Sequence, residues 1–149
     1  MLGLLVAWSV AAAAFDLRQR RIPNLLLLLV AVPAVGSLLV VGHGLLGAGI
    51  IDSLIGLGIG GLSHLPGYAF GKVGAGDVKL SGLQGFLLGG MGALQALVVG
   101  ALCLGLMAIC AILTTPDRGR SARLPAAIAL VVGFLWVVTG NFLLPGWGL

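Results

Sequence analysis

Carboxylate side chains are scarce in this sequence, and their positions limit the chemistry that the chain can perform. The 149 residues contain no Glu, and the only Asp residues are Asp16, Asp52, Asp77 and Asp117. Two carboxyl groups held about 3 Å apart share a proton, so one can act as a base toward water while the other donates to a carbonyl. Asp16 and Asp77, each at the predicted end of a helix, could therefore hydrolyse a peptide bond if the fold brings them together.

Structural roles for the same residues stay open at this point. Asp16, close to several arginines, is equally well interpreted as a solvated ion at a membrane boundary. Asp77 could be the N-cap of the helix that follows it. Gly74 and Gly76 precede Asp77 and favour unusual backbone dihedral angles and close backbone approach beside it. Lys79 could tune the charge of Asp77 or extend its ammonium group to the membrane interface.

The overall composition places the chain in lipid rather than in water. Hydrophobic residues make up 60% of the sequence and charged residues only 8%, whereas soluble domains are roughly 25% charged. The polar residues are too few to cover a soluble fold, and disordered chains lack such apolar content. We therefore expect an integral membrane protein with the lipid bilayer as its partner, and the grouping of basic residues between apolar runs argues against a nucleic-acid partner.

A spanning helix needs about 20 mostly apolar residues, and the pattern predicts an all-α, polytopic membrane bundle of about six helices in a single domain, residues 1–149. The stretch from Val78 to Leu113 would make about 54 Å of helix, too long for a hydrocarbon core of about 30 Å. Gly89, Gly90 and Gly92 therefore predict a break within it. The predicted spans are Met1 to about Leu17, Leu25 to Val41, Leu45 to about Leu62, a short helix from Val78 to Leu88, Met91 to Leu113, and Leu124 to about Leu144.

The basic residues predict an orientation for this bundle. Cytoplasmic loops are enriched in Lys and Arg, and all eight such residues fall in three segments, 18–24, 63–79 and 114–123. The turns near 42–44 and 89–92 contain none. In a six-span topology the three basic segments share one side, which predicts that they are cytoplasmic and that both termini lie outside. Two full spans separate the first and third aspartates, so both are expected on the cytoplasmic side.

Asp52 supports a different hypothesis, because it lies within the third predicted span, about 10 Å from its outer end. An intramembrane carboxylate suggests function, and Asp52 could be the central acidic site of a small proton-coupled transporter. A structural hydrogen bond is the favoured interpretation. A non-enzymatic membrane subunit, with Asp16 and Asp77 as interfacial caps, is a further alternative. No metal site is predicted, since His43 and His64 fall on opposite sides of the membrane.

Two motifs together resemble a known family. The segment Gly74-Ala75-Gly76-Asp77-Val78-Lys79-Leu80 resembles the GxGD motif of bacterial type IV prepilin peptidases, and Asp16 followed by Arg20-Arg21-Ile22-Pro23-Asn24 resembles the first-aspartate segment of that family. The resemblance implies an aspartic endopeptidase of the bacterial inner membrane. It would cleave the basic leader of a prepilin or pseudopilin substrate at the cytoplasmic face, with Asp16 and Asp77 as the catalytic pair and no cofactor.

The sequence departs from the larger members of that family in two respects. Those members carry an extra N-terminal cytoplasmic region, often with paired cysteines, which is linked to N-methylation of the new amino terminus. The chain resembles the short form found with Tad/Flp-type pili, which is expected to cleave without methylating. The aromatic residue often present after the proline of the last helix is replaced by Ala126. The particular substrate and the oligomeric state are not specified by the resemblance.

Overall fold

The computed structural model describes residues 2–19, 22–71, 73–114 and 126–143, with backbone only for the last three. Its described part is all-α, as the sequence predicts, and has no β-strand. The five helices are α1 (Leu2–Gln19), α2 (Asn24–Val41), α3 (Ile50–Ala69), α4 (Ala75–Thr114) and α5 (Ala126–Leu143).

Apolar surface on these helices agrees with a position in the membrane. By length and composition α1, α2 and α4 are candidate membrane spans. Large apolar side chains point outward along them, and Leu25 and Val40 of α2 are 80% and 86% exposed. Such surface is stable only against lipid or another apolar partner. The prediction of a multi-pass helical membrane protein is confirmed in this coarser form, whereas five helices with three candidate spans do not establish six spans.

A sharp bend interrupts α4 at Gly89, the position at which the sequence predicts a break. Gly89 has φ 75° and ψ 178°, which is not helical. A Cβ built on Gly85 would lie 3.4 Å from the Cβ of Ala93, although residues eight apart in a straight helix are about 12 Å apart. The chain therefore folds back at Gly89, and the first segment of α4 (residues 75–88) packs beside the second (residues 90–114).

Glycines bring α3 and the first segment of α4 into backbone contact. A Cβ on Gly56 would overlap the carbonyl of Gly85, and a Cβ on Gly60 would overlap the carbonyl of Ser81. The Ser81 hydroxyl donates a 2.8 Å hydrogen bond to the Gly60 carbonyl across the same interface. Small residues of this kind let membrane helices approach closely. The glycines at this interface therefore serve helix packing.

The ends of α3 differ from the prediction. The helix begins at Ile50 rather than Leu45, because residues 44–49 form a turn in which Gly47 has φ 91° and the Gly44 amide bonds to the Ala48 carbonyl at 2.7 Å. At its other end α3 continues to Ala69, beyond the predicted end at Leu62. Pro66 lies inside its last turn, where the missing N–H costs only one helical hydrogen bond.

The predicted interval between the span that ends near Leu62 and the helix that begins at Val78 is consequently too long, because α4 also begins earlier, at Ala75. Several other predicted features lie outside the described residues. These are Arg20, Arg21, Lys72, most of the basic loop 114–123 with Asp117, and Leu124 and Pro125 at the predicted start of the last helix.

Replacement of Gly56 by Ala tests the backbone contact. We expect Gly56→Ala to lower the free energy of unfolding by about 1–3 kcal/mol, because its methyl group forces α3 away from α4. Gly58→Ala is the matched control, since nothing lies within 4 Å of a Cβ at that position of the same helix, and Ala is the better helix former. Thermal unfolding in detergent micelles measures both variants. Equal melting temperatures would contradict the proposed packing role of Gly56.

Candidate active site

Asp77 lies in the first turn of α4, where the local backbone holds its side chain. The helix begins at Ala75, so Asp77 is its third residue and the predicted role as N-cap is wrong. Its Oδ2 accepts a 3.3 Å hydrogen bond from the Gly74 amide, which is one half of a capping box. Asp77 is only 8% exposed, and its buried Oδ1 has no hydrogen-bond partner in the described part of the chain. One oxygen is thus anchored, and the other is buried without a hydrogen-bond partner among the described residues.

The two glycines of the motif act through their size rather than through unusual dihedral angles. Neither Gly74 nor Gly76 has a positive φ, so that part of the expectation is wrong. A Cβ on Gly76 would lie 3.3 Å from the Cβ of Ile22, and a Cβ on Gly74 would lie 3.4 Å from Asp77 Oδ2. The absence of side chains here lets the segment before α2 pack directly on the start of α4.

Asp16 lies half-buried near the end of α1 and faces the same cavity as Asp77. The two carboxyl groups are close enough to interact electrostatically. The cavity has a volume of about 270 Å³, which is enough for several water molecules. Its described lining consists of Asp16, Ile22, Asn24, Gly74, Ala75, Gly76, Asp77 and Lys79. The structure therefore brings together every residue that the sequence assigns to the site.

Lys79 connects the two motifs across the cavity wall. Its ammonium group donates a 3.1 Å hydrogen bond to Asn24 Oδ1 at the start of α2. The sequence interpretation considered a charge effect on Asp77 or an interfacial position for Lys79, and it assigned no role to Asn24 or Ile22. Their place in the Ile22-Pro23-Asn24 motif was the available signal, since Ile22 contacts Gly76 and Asn24 bonds to Lys79.

His64 approaches the site from α3, which the sequence interpretation considered only as a metal ligand. Its ring nitrogen Nδ1 lies 2.9 Å from the Ser63 hydroxyl and 3.1 Å from the Gly60 carbonyl. The imidazole also interacts electrostatically with Asp77. Within the described ranges no group of three or more His, Cys, Asp or Glu side chains could hold a metal ion.

Asp52 lies apart from the cavity and stabilises the bend in α4. Its Oδ1 accepts a 2.8 Å hydrogen bond from the Gly90 amide, and a Cβ on Gly89 would overlap its Oδ2. The favoured prediction of a structural hydrogen bond is thus confirmed. Its predicted depth within the third span is wrong, because α3 begins at Ile50 and Asp52 is in the first turn.

Two carboxyl groups that face one cavity, large enough for several water molecules, can perform acid–base chemistry on a substrate that enters it. The Gly74 amide fixes the orientation of the Asp77 carboxyl group, and its buried Oδ1 is left without a hydrogen-bond partner among the described residues. A proton shared within such a pair belongs to both acids. The fold thus places on one cavity the two carboxyl groups that the sequence analysis considered for peptide hydrolysis.

A double cysteine variant tests whether the two motifs meet as described. In a chain with Cys103 and Cys110 replaced by Ala, we expect Ile22→Cys and Gly76→Cys to form a disulfide on mild oxidation, because disulfide Cβ atoms lie about 3.5–4.5 Å apart. Mass spectrometry after alkylation detects the loss of both reactive thiols. Gly3→Cys with Gly76→Cys is the control, since Gly3 is at the opposite end of α1, and it should stay alkylated. Full alkylation of both pairs would contradict the described contact.

The chain is similar to a known protein family over most of its length. The chain matches the model of the Type IV leader peptidase family over residues 3–144, which includes all five helices almost entirely. No curated protein and no solved structure matches the chain significantly. Because the family match covers nearly the whole sequence, it includes both aspartates and the elements that position them. The chain therefore belongs to the type IV leader peptidase family, whose members are membrane-embedded proteases.

Proposed function

We propose that this protein is an aspartic endopeptidase and that Asp16 and Asp77 are its catalytic pair. The observation that carries the proposal is the shared cavity, in which both carboxyl groups interact although 61 positions separate them in sequence. Membership of a leader peptidase family supports a peptide substrate. Gly74, Gly76 and Lys79 are supporting residues that orient Asp77 or close the cavity wall.

The mechanism requires one carboxylate and one carboxylic acid. The carboxylate accepts a proton from a water molecule, whose oxygen attacks the carbonyl carbon of the scissile bond. The carboxylic acid donates its proton to the carbonyl oxygen, which gives a neutral tetrahedral intermediate. When the C–N bond breaks, the nitrogen takes a proton from the acid and one hydroxyl group of the intermediate returns its proton to the carboxylate. The products are a new carboxyl terminus and a new amino terminus. The pair then returns to its starting state with one proton between the two acids.

Asp52 supplies an argument against the transporter alternative. Its carboxylate bonds to the Gly90 amide and packs on Gly89, so it is occupied in holding the backbone at the bend. A non-enzymatic subunit with purely capping aspartates explains the contact between Gly74 and Asp77. It offers no reason for Asp16 to face the same cavity. The protease interpretation accounts for both observations.

We further propose a single transmembrane domain of six spans, in which the two segments of α4 cross separately. The break at Gly89 and the contact between Gly85 and Ala93 support this division. The distribution of Lys and Arg supports a multi-pass protein of the bacterial inner membrane, with the basic loops and the aspartates on the cytoplasmic side and both termini outside.

The proposed substrate is the basic leader of a type IV prepilin or pseudopilin. The family description supports a leader peptide, and cleavage at the cytoplasmic face follows from the proposed orientation of the aspartates. By its resemblance to the short Tad/Flp-pilus form, the protein would cleave without N-methylating the new amino terminus.

A comparison of three Asp→Asn variants tests the proposal. We expect Asp16→Asn and Asp77→Asn each to lower leader cleavage at least about 100-fold, because each removes one partner of the acid–base pair. Asp52→Asn is the matched control and should keep activity, since the Asn oxygen can accept the same bond from Gly90. Co-expression with a prepilin and a gel-mobility assay measure processing, and immunoblotting measures enzyme level. Full processing by both site variants would refute the proposal.

A further inference from the structure

His64 of α3 and Asp77 of α4 lie opposite each other in an antiparallel pair of helices. The glycine contacts between these helices pair Gly56 with Gly85 and Gly60 with Ser81. Each step is four residues forward on α3 and four residues back on α4, which is close to one turn of each helix. The next step in this register pairs His64 with Asp77.

A contact on the far side of His64 and Asp77 supports this register. The Val73 amide donates a 3.1 Å hydrogen bond to the Gly67 carbonyl, and a Cβ on Gly67 would clash with the Val73 side chain. Close contacts between the same two chain segments therefore lie on both sides of the pair. The electrostatic interaction of His64 with Asp77 agrees with this placement.

The hydrogen bonds of His64 determine which ring nitrogen holds the first proton. Nδ1 lies 3.1 Å from the Gly60 carbonyl, and a carbonyl oxygen can only accept. The Ser63 hydroxyl, 2.9 Å from Nδ1, donates its own proton to the same carbonyl, so toward the ring it is an acceptor. Nδ1 therefore carries a proton in the neutral imidazole, and Nε2 is the nitrogen that gains one when the ring becomes charged.

His64 lines a different cavity from the one that contains the two aspartates. This cavity has a volume of about 310 Å³ and lies between α3, the second segment of α4 and α5. The volume is enough for several water molecules, and His64 is only half-buried, so its ring can exchange a proton with solvent. Apart from His64, the described lining of this cavity contains no titratable side chain.

We propose that His64 is a positioning residue of the protease, and that its charge controls the protonation of the aspartate pair through Asp77. The inference rests on the proposed protease function and adds a third titratable side chain to its site. A positive charge opposite Asp77 stabilises the singly protonated, negatively charged pair against the uptake of a second proton. The mechanism requires that singly protonated form, so a protonated His64 extends activity toward acidic pH.

The other titratable groups at this end of the bundle do not account for such an effect between pH 5 and 8. Within the described residues they are Asp16 and Arg18 of α1, Tyr68 of α3, and Lys79 and Cys110 of α4, while α2 and α5 contribute none. Among unperturbed side chains, imidazole is the one that changes its charge in that range. A change in the pH profile that depends on the ring therefore reports the charge of His64.

Replacement of His64 by Asn removes the charge and keeps a donor for the Gly60 carbonyl, since the amide nitrogen of Asn can take the place of Nδ1. We expect the acidic limb of the pH profile of kcat/KM to move upward by about half a pH unit, because a second proton then enters the pair at higher pH. Below that limb, kcat/KM relative to its plateau value should be about threefold lower than in the wild type. Purified enzyme with a basic leader peptide, and mass spectrometry of the products, give the profile.

His43→Asn is the matched control. The His43 ring also bonds through Nδ1 to a backbone carbonyl, that of Val41, but it lies in the turn before α3, at the opposite end of that helix from His64. Its pH profile should match that of the wild type. An unshifted acidic limb in His64→Asn would overturn the proposal, as would an equal loss of activity at every pH, which a merely structural role of the ring predicts. Failure of the protease function is recognised separately, because the wild type would then not cleave the leader or Asp77→Asn would cleave it.

An NMR titration tests the same coupling without any enzymatic activity. The chain contains only two histidines, so histidine-specific ¹⁵N labelling resolves both rings. We expect the double variant Asp16→Asn/Asp77→Asn to lower the titration midpoint of His64 by about half a pH unit, because a negative charge near the ring favours its protonated form. The midpoint of His43 should stay the same. An unchanged midpoint of His64, or an equal shift of both histidines, would overturn the proposal.

Discussion

Backbone contact between α3 and α4 is the constraint on which the rest of the structure depends. Within lipid there is no hydrophobic force between apolar helices, so they associate through close packing and hydrogen bonds. Gly56 meets Gly85 and Gly60 meets Ser81 without intervening side chains, and the Ser81 hydroxyl bonds across the interface. Asp77 is one turn of helix from Ser81, so this contact sets the position of its carboxyl group relative to α3. The same contact brings His64, one turn beyond Gly60, toward the site.

The bend at Gly89 extends this constraint to the rest of the bundle. It lets the second segment of α4 return beside the first and pack on α5, where a Cβ on Gly133 would overlap the Ala96 carbonyl. A carboxylate at the bend is costly in an apolar environment unless it is hydrogen-bonded. Asp52 meets that condition by accepting the Gly90 amide, and in return it satisfies one backbone donor that the interrupted helix leaves unpaired. One of the four aspartates of the chain therefore maintains the fold.

Features governed by helix length and composition could be predicted from the sequence. The two spans between Asp16 and Asp77 predict that both lie on the same side of the membrane, which their common cavity requires. The excessive length of a helix from Val78 to Leu113 predicts the break near Gly89. Features that depend on contacts between distant segments could not be predicted. A proline such as Pro66 is typical of a helix end in a sequence, yet α3 continues through it. The roles of Ile22 and Asn24 exist only because the start of α2 packs against the start of α4. Their motif marks these residues in the sequence but does not specify the contacts that they make.

The shared starting point of α2 and α4 also gives the cavity an electric field. Asn24 and Ala75 begin their helices at its wall, and the first amide groups of each helix have no carbonyl partner within the helix. Each such end carries roughly half a positive charge. Two dipoles therefore converge on the space between the aspartates, where they offset the repulsion between neighbouring carboxyl groups. They also polarise a substrate carbonyl group there, so the fold itself supplies electrostatic stabilisation that this chain, with few charged side chains, could not otherwise provide.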